Sequence, residues 1–295
     1  MRGAFYFINR NGVKMPFKDV LIDNLVEFAR QVRLDIVFQT HEANSGHPGG
    51  PLSAVDFCTV LFNVVMNYDP ANPKWRDRDI FIMSKGHCSA LLYSLLARIA
   101  VIPVEWLKTF RCTGSPLQGH PNMLKCPGVE ISTGSLGQGL SVGNGMALAM
   151  RLNGQDRRRI YVVSGDGELQ EGQYWEAMMT SAHYCLDNVC LTVDLNGLQI
   201  DGPTCEVKNL EPLADKFKAF NWHVIEINGH RFDESIKAYQ EAIEIKGKPT
   251  VVLAKTVKGK GVSFMENQVD WHGKPPNDKE YEQAVKDIKS MKYPW

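Results

Sequence analysis

The chain has 295 residues, 44% hydrophobic and 22% charged, enough for a sizeable core in one large domain or two small ones. Lys+Arg and Asp+Glu both number 33, so the formal net charge is zero and nothing points to a nucleic-acid or membrane-surface partner. No run approaches the length of apolar sequence that a spanning helix requires.

Residues 1–17 carry one short apolar run and no small-residue cleavage site, so an N-terminal arm is expected there rather than a signal peptide. Over 18–42, Val20, Leu21, Leu25, Phe28, Ala29, Val32, Ile36 and Val37 recur at three- and four-residue spacing and predict a helix. It should stop before "NSGHPGG", a loop by composition. A second helix is expected over 52–67, ending at "YDPANP". "KWRDRD" at 74–79 reads as a solvated, self-paired charge run. "DIFIMSKGH" reads as a short strand entering a loop, with a helical stretch over 90–99 behind it. The small residues of "GNGMALAM" are expected to let a helix pack closely against its neighbours.

The second half alternates. Short apolar runs at 160–164, 189–193, 223–227 and 250–254 are separated by helix-like segments at 173–186, 209–221 and 231–246. That pattern predicts an α/β fold, a mostly parallel central sheet with helices on both faces. Ligands on such sheets bind at the carboxyl ends of strands, where Asp166 and Asp194 fall. Seven scattered cysteines form no C-x-x-C pair, which fits reduced thiols in the cytoplasm and no metal role for them.

In "VVSGDGELQEG" two glycines flank Asp166. Asn196 follows thirty residues later, one strand–helix–strand unit away, so two adjacent parallel strands would bring "GDG" and "DLNGLQIDG" to one end. A carboxylate, an amide oxygen and a backbone carbonyl suit Mg²⁺, whose remaining positions go to phosphate oxygens and water. Gly165 and Gly167 let the backbone come close, and free amides before a helix start favour an anion. A lone GDG is more often a tight turn; the pair GDG…N, each after an apolar run, is more specific.

The stretch from Gly165 to Gly202 resembles the thiamine diphosphate-binding motif, which opens with GDG and closes with Asn. "GDG-x-x-x-EG-x-x-x-EA" followed by "D-x-N-x-x-x-IDG" is similar to transketolases specifically. "NSGHPGGPLS", "SKGH", "GHP", "PGVEISTGSLGQGLSVGNGMALA" and "WHG" agree, so the resemblance spans 18–274, leaving 275–295 as a tail.

The resemblance implies a thiamine diphosphate-binding domain that moves a two-carbon ketol unit between sugar phosphates. Asp166, Asn196 and the Leu198 carbonyl would hold Mg²⁺, with Asn196 and Gly167 also next to the cofactor. His87 and His272 would contact diphosphate oxygens. His47 and His120 would face the reacting carbon and the sugar hydroxyls, with His272 beside them. Gly134 and Leu136 would pack beside the cofactor rings. Glu171, with Glu176 near it, would sit where two subunits meet. Imidazoles titrating near neutrality would suit the proton transfers. His41, His183, His223 and His230 read as structural, with His230 a helix-cap candidate; "VKGKG" at 257–261 reads as a phosphate loop or a solvated turn.

Transketolases usually run to double this length, and their second half supplies the activating glutamate and most sugar-phosphate cations. The resemblance therefore implies the N-terminal subunit of a split transketolase, self-associating and paired with a C-terminal pyrimidine-binding subunit to form a heterotetramer. A 1-deoxyxylulose-5-phosphate synthase-like enzyme and a 2-oxoacid dehydrogenase α chain are rivals; "SGHPGG" with "QGHP" stands against both. Split enzymes acting on branched or sulfonated sugars, and a non-catalytic partner subunit, are further alternatives. No G-x-G-x-x-G supports a simple dinucleotide-binding protein.

Overall fold

The computed structural model describes residues 6–8, 14–16, 19–155 and 157–293, with side chains from residue 22 onward. Two three-residue strands, β1 (Tyr6–Ile8) and β2 (Lys14–Pro16), pair antiparallel; the rest of the expected arm lies outside the described residues.

The main sheet consists of β3 (Ile80–Met83), β4 (Ile160–Gly165), β5 (Val189–Leu195), β8 (His223–Asn228) and β9 (Thr250–Lys255). Its order is β3-β4-β5-β9-β8, and every neighbouring pair is parallel. Gly165 lies opposite Asp194, and Leu195 opposite Lys255, so the carboxyl ends of three strands open onto one edge. Successive side chains point to opposite faces. Phe81, Tyr161, Cys190 and Val252 enter one core cluster; Ile82, Val162, Leu191 and Val251 enter the other. Burial on both faces is why these strands read as unbroken apolar runs.

Helices α1 (Asp19–Glu42), α2 (Gly49–Val60), α3 (Ser89–Arg98), α8 (Phe232–Glu244) and α9 (Asp278–Ser290) contribute to the first cluster. The second draws on α4 (Gly139–Leu152), α5 (Gly172–His183) and α7 (Leu213–Ala219). Between β5 and α7 lie a small hairpin, β6 (Leu198–Gln199) with β7 (Gly202–Pro203), and the single turn α6 (Thr204–Val207).

Several local expectations shift. Helix α2 begins three residues earlier than its apolar periodicity suggested and runs into a π-helical turn at Leu61–Val65. All twelve of its residues are buried, so it has no polar face to mark its limits. Helix α7 starts only after Pro212, which lacks the N–H a helix interior needs. Two members of the charge run at 74–79 reach outside it. Arg78 forms a fork with Glu130 at 2.7 and 2.5 Å, and buried Asp79 accepts the backbone N–H groups of Asn67 and Arg159. Helix α4 carries the small-residue stretch, and a Cβ on Gly143 would lie 3.1 Å from Val162 Cγ2, the close packing expected there. No helix among the described residues is long and apolar enough to cross a membrane.

The stretch read as a tail contains α9, opened by a capping box between Asn277 and Glu280 and packed on α1. Arg30 of α1 donates to the Ile288 and Lys289 carbonyls at 2.6 and 3.0 Å. Beneath it, Arg33 pairs with Asp56 through two bonds of 2.8 and 2.7 Å and donates to the Tyr293 hydroxyl. His230 completes this buried network, with Nδ1 2.9 Å from Asp56 and Nε2 accepting the Val257 N–H. His230 is thus structural, but it bridges α2 to the 257–261 loop instead of capping a helix.

Candidate active site

The carboxyl ends of β4 and β5 meet as the motif spacing required. Asp166 accepts the Gly167 N–H at 2.8 Å on one oxygen and the Gly197 N–H at 2.6 Å on the other. Burial and the nearby Asp194 push its carboxyl up to about 6, against the pull of those two bonds. Asn196 donates to Asp194 at 3.0 Å and takes the Leu198 N–H on its amide oxygen. Each of these oxygens keeps an unused lone pair. Gly167 has a local reason to be glycine: a Cβ there would lie 2.7 Å from Gln199 Cβ, so it lets the β6–β7 hairpin close over the loop.

Asp194 is the anchor. Fully buried, it accepts from Lys85 Nζ and Ser53 Oγ, each at 2.5 Å, and from Thr256. Burial alone would lower Lys85 and raise Asp194; the ion pair overrides both and keeps each charged. The pair ties the loop after β3, which carries His87, to the loop after β5, which carries Asn196. Glu168 ties in a third loop by accepting from Ser84 Oγ at 2.5 Å, Gly137 N at 3.1 Å and Gly165 N at 3.3 Å. Burial pushes Glu168 up to about 7.

Four histidines gather beside this frame. The His87 and His272 rings stack with centroids 5.0 Å apart, and His47 lies 5.4 Å from His87, 5.7 Å from His272 and 6.4 Å from His120. Lys258 Nζ stands 2.8 Å from His272 Nδ1, and Arg111 Nη2 stands 3.3 Å from His47 Nδ1. The expectation of imidazoles titrating near neutrality is not met. Burial and neighbouring cations hold His47 at about 4 and His272 at about 3, hold His87 well below its ordinary value, and lower His120. Lys258, 2% exposed, is itself lowered to about 8 by burial and by Lys85, so this part of "VKGKG" is not a solvated turn.

A cleft of about 420 Å³ joins these groups. Of the residues singled out in the sequence, His87, Leu136, Asp166, Gly167, Glu171, Asn196, Leu198 and His272 line it. His47 and His120 stand next to it through the ring cluster, and Gly134 sits against His120, where a Cβ would lie 3.1 Å from its Cδ2. Glu176 is exposed on α5 and does not line the cleft. Sequence reasoning missed Lys85, Glu168 and Arg111 as members of the site; Lys85 and Glu168 lie inside the quoted motifs, whereas Arg111 carries no local signal.

The donor set fits the implied ion and cofactor. Among the described residues no cluster of three or more His, Cys, Asp or Glu side chains is arranged to hold a metal, so an ion at Asp166 and Asn196 would draw its further oxygens from the backbone, such as the Leu198 carbonyl, and from a ligand or water. Mg²⁺ binds in that way. Lys258, His87 and His272 offer donors to an anion on the other side of the cleft.

Comparisons with known proteins agree with this geometry. The family model for the transketolase thiamine diphosphate binding domain matches residues 22–292. The chain is 42% identical over 268 residues to the A-subunit of the apulose-4-phosphate transketolase of Actinobacillus succinogenes, covering 90% of this chain and 96% of that one. It is 42% identical over 243 residues to the 6-deoxy-6-sulfo-D-fructose transketolase subunit SqwG of a Clostridium species, covering 82% and 88%. Against human transketolase the identity is 36%, covering 90% of this chain but 42% of the human one. The crystal structure of transketolase from Campylobacter jejuni superposes with a TM-score of 0.85 at 35% identity, covering 90% of this chain and 43% of that one. With its parallel sheet, its GDG…N strand ends and these matches in agreement, the chain belongs to the transketolase family, whose thiamine diphosphate binding domain it carries.

Proposed function

We propose that the chain is the diphosphate-binding subunit of a two-chain transketolase, transferring a ketol unit between sugar phosphates with thiamine diphosphate and Mg²⁺. The observation that carries this reading is the meeting of Asp166, Asn196 and Leu198 with Lys258, His87 and His272 in one cleft. Bound there, the cofactor would supply a carbon nucleophile and an electron sink. Asp166, Asn196 and the Leu198 carbonyl would hold the ion. His87, His272 and Lys258 would meet diphosphate oxygens, and Gly134 and Leu136 would border the rings. His47 and His120 would meet the hydroxyls of the sugar.

The partner is inferred from the relatives named as transketolase subunits and from the cleft rim. Ile200 and Val207 line that rim while 64% and 44% exposed, an apolar surface that a second chain would cover. Glu171 and Glu176 are exposed where α5 begins, and contacts that build a heterotetramer would use them. Seven free thiols suit work in a reducing cytoplasm. A second reading, ketol transfer on an unusual sugar outside the pentose phosphate pathway, is favoured by the two relatives at 42% identity named for apulose-4-phosphate and 6-deoxy-6-sulfo-D-fructose.

Purification from native cells followed by intact-complex mass spectrometry tests the pairing. A complex with a second chain that turns over a ketose panel is the expected result. Robust transfer by the purified single chain would refute the need for a partner.

A further inference from the structure

His47 and His272 differ from His87 and His120 in having a cation against Nδ1. Arg111 Nη2 lies 3.3 Å from Nδ1 of His47, and Lys258 Nζ lies 2.8 Å from Nδ1 of His272. A guanidinium offers donors only and keeps its proton at any physiological pH, and an ammonium also only donates. A ring nitrogen that accepts such a bond carries no proton, so the proton of the neutral ring sits on Nε2. Among the described residues neither Nε2 atom makes a hydrogen bond.

Arg111 is held for this contact. It also donates to Ser45 Oγ at 3.1 Å, and its guanidinium lies so close to Gly119 that a Cβ there would come within 2.8 Å of Cζ. Its backbone φ of 60° is in the left-handed region, uncommon for a residue with a long side chain. No carboxylate among the described residues pairs with it.

We propose that Arg111 and Lys258 are positioning residues that fix His47 and His272 as neutral rings protonated on Nε2. Both histidines then meet substrate or cofactor oxygens as hydrogen-bond donors, and neither is the proton-accepting base. The identity of those oxygens rests on the ketol-transfer reading; the ring protonation does not. The titratable and charged groups around His47 are Arg111, His120, Lys258, His87 and His272. Those around His272 are Lys258, His47, His87 and Lys85. No carboxylate is among them, so a second proton on either ring would face only like charge. His120, exposed and 6.4 Å from His47 between ring centroids, has no hydrogen bond on either nitrogen among the described residues, so no neighbour fixes its tautomer.

Nitrogen-15 NMR of the full chain with labelled histidine tests this, with His47→Asn and His272→Asn used for assignment. The expected result is two neutral Nε2–H rings that stay unprotonated down to about pH 5, in line with cation-lowered imidazoles. Arg111→Met should raise the His47 midpoint by about one pH unit or more, while Arg111→Lys should keep it low, since a nearby charge shifts a buried group by that order. Should Arg111→Met fail to fold, the wild-type titration decides alone. A His47 ring that titrates between about pH 6 and 7, the ordinary range, or a neutral ring protonated on Nδ1, overturns the proposal. In the two-chain enzyme, Arg111→Met should add an acidic limb to the pH profile of kcat/KM. Failure of the wild-type pair to transfer any ketol unit would overturn the functional reading, with the ring assignments still standing.

Discussion

His230 is buried and His272 half-buried, and their hydrogen bonds are arranged oppositely. His230 donates to Asp56 and accepts the Val257 N–H, so both nitrogens are used within the fold. His272 receives Lys258 on Nδ1 and keeps Nε2 for a ligand. The surroundings follow the same division. Around His230 the charges balance, because Arg33 and Asp56 pair bidentately and Asp56 is held down to about 2 although burial opposes it. Around the cleft one pair, Lys85 with Asp194, is matched, and beyond it like groups crowd one another: histidines with Lys258 on one side, and Asp166 pushed up beside Asp194 on the other. A closed network of opposite charges secures the fold. The open, partly unmatched one around the cleft leaves groups free to meet a ligand.

Breaking the closed network should have the largest effect. Asp56→Ala leaves Arg33 and His230 buried without their acid and should cost about 3–5 kcal/mol of stability, read from urea unfolding. Breaking the open one should spare stability and remove ligand affinity. Asp166→Ala should weaken Mg²⁺-dependent thiamine diphosphate binding by about 100-fold or more in calorimetry, since losses in a metal's outer shell alone reach that order. Unchanged binding would move the ion site elsewhere.

Acid should separate the two regions next. The His272 folded value of about 3 lies below the ordinary 6.5, so as pH falls the unfolded state takes up its proton first. The stability from a neutral His272 is complete above about pH 6.5 and is lost as pH falls toward 3. Asp166 and Glu168, raised in the fold, drive the opposite trend between about pH 7 and 4. The measurement is therefore a difference: relative to wild type, His272→Asn should gain in urea midpoint between about pH 6.5 and 4, and a flat difference would contradict the shift. The smallest effect is expected at the edge of the closed network. Asn277→Ala removes the cap of α9 and should cost about 1 kcal/mol in the same unfolding assay.

Much of the sheet was legible because β4, β5 and β9 are buried on both faces, which writes them as continuous apolar runs. Helix α9 was read as tail because the quoted motifs end at "WHG", although Tyr281, Ala284, Val285 and Ile288 recur at helical spacing and pack on the core. The charge run misled because a fork to Glu130, 52 residues away, leaves no local mark. The site divides similarly. Asp166, Asn196, His87 and His272 sit in short motifs whose glycines and spacing betray them. Arg111 reaches His47 across 64 residues, and Lys258 reaches His272 across 14, so their pairing exists only in three dimensions.

The bonds to Asp194 have a bearing on how the chain matures. Its three side-chain partners from other segments, Ser53, Lys85 and Thr256, lie 141, 109 and 62 residues away along the sequence. Contacts of such separation form late, because long loops must close before they are rewarded. A chain emerging from the ribosome therefore holds all of "SGHPGG", "SKGH" and "GDG" before it holds a cleft. Thr256, just beyond β9, adds the last of these bonds. The lining residues Lys258 and His272 follow Thr256 in the sequence, so this side of the cleft is made after all three of those motifs.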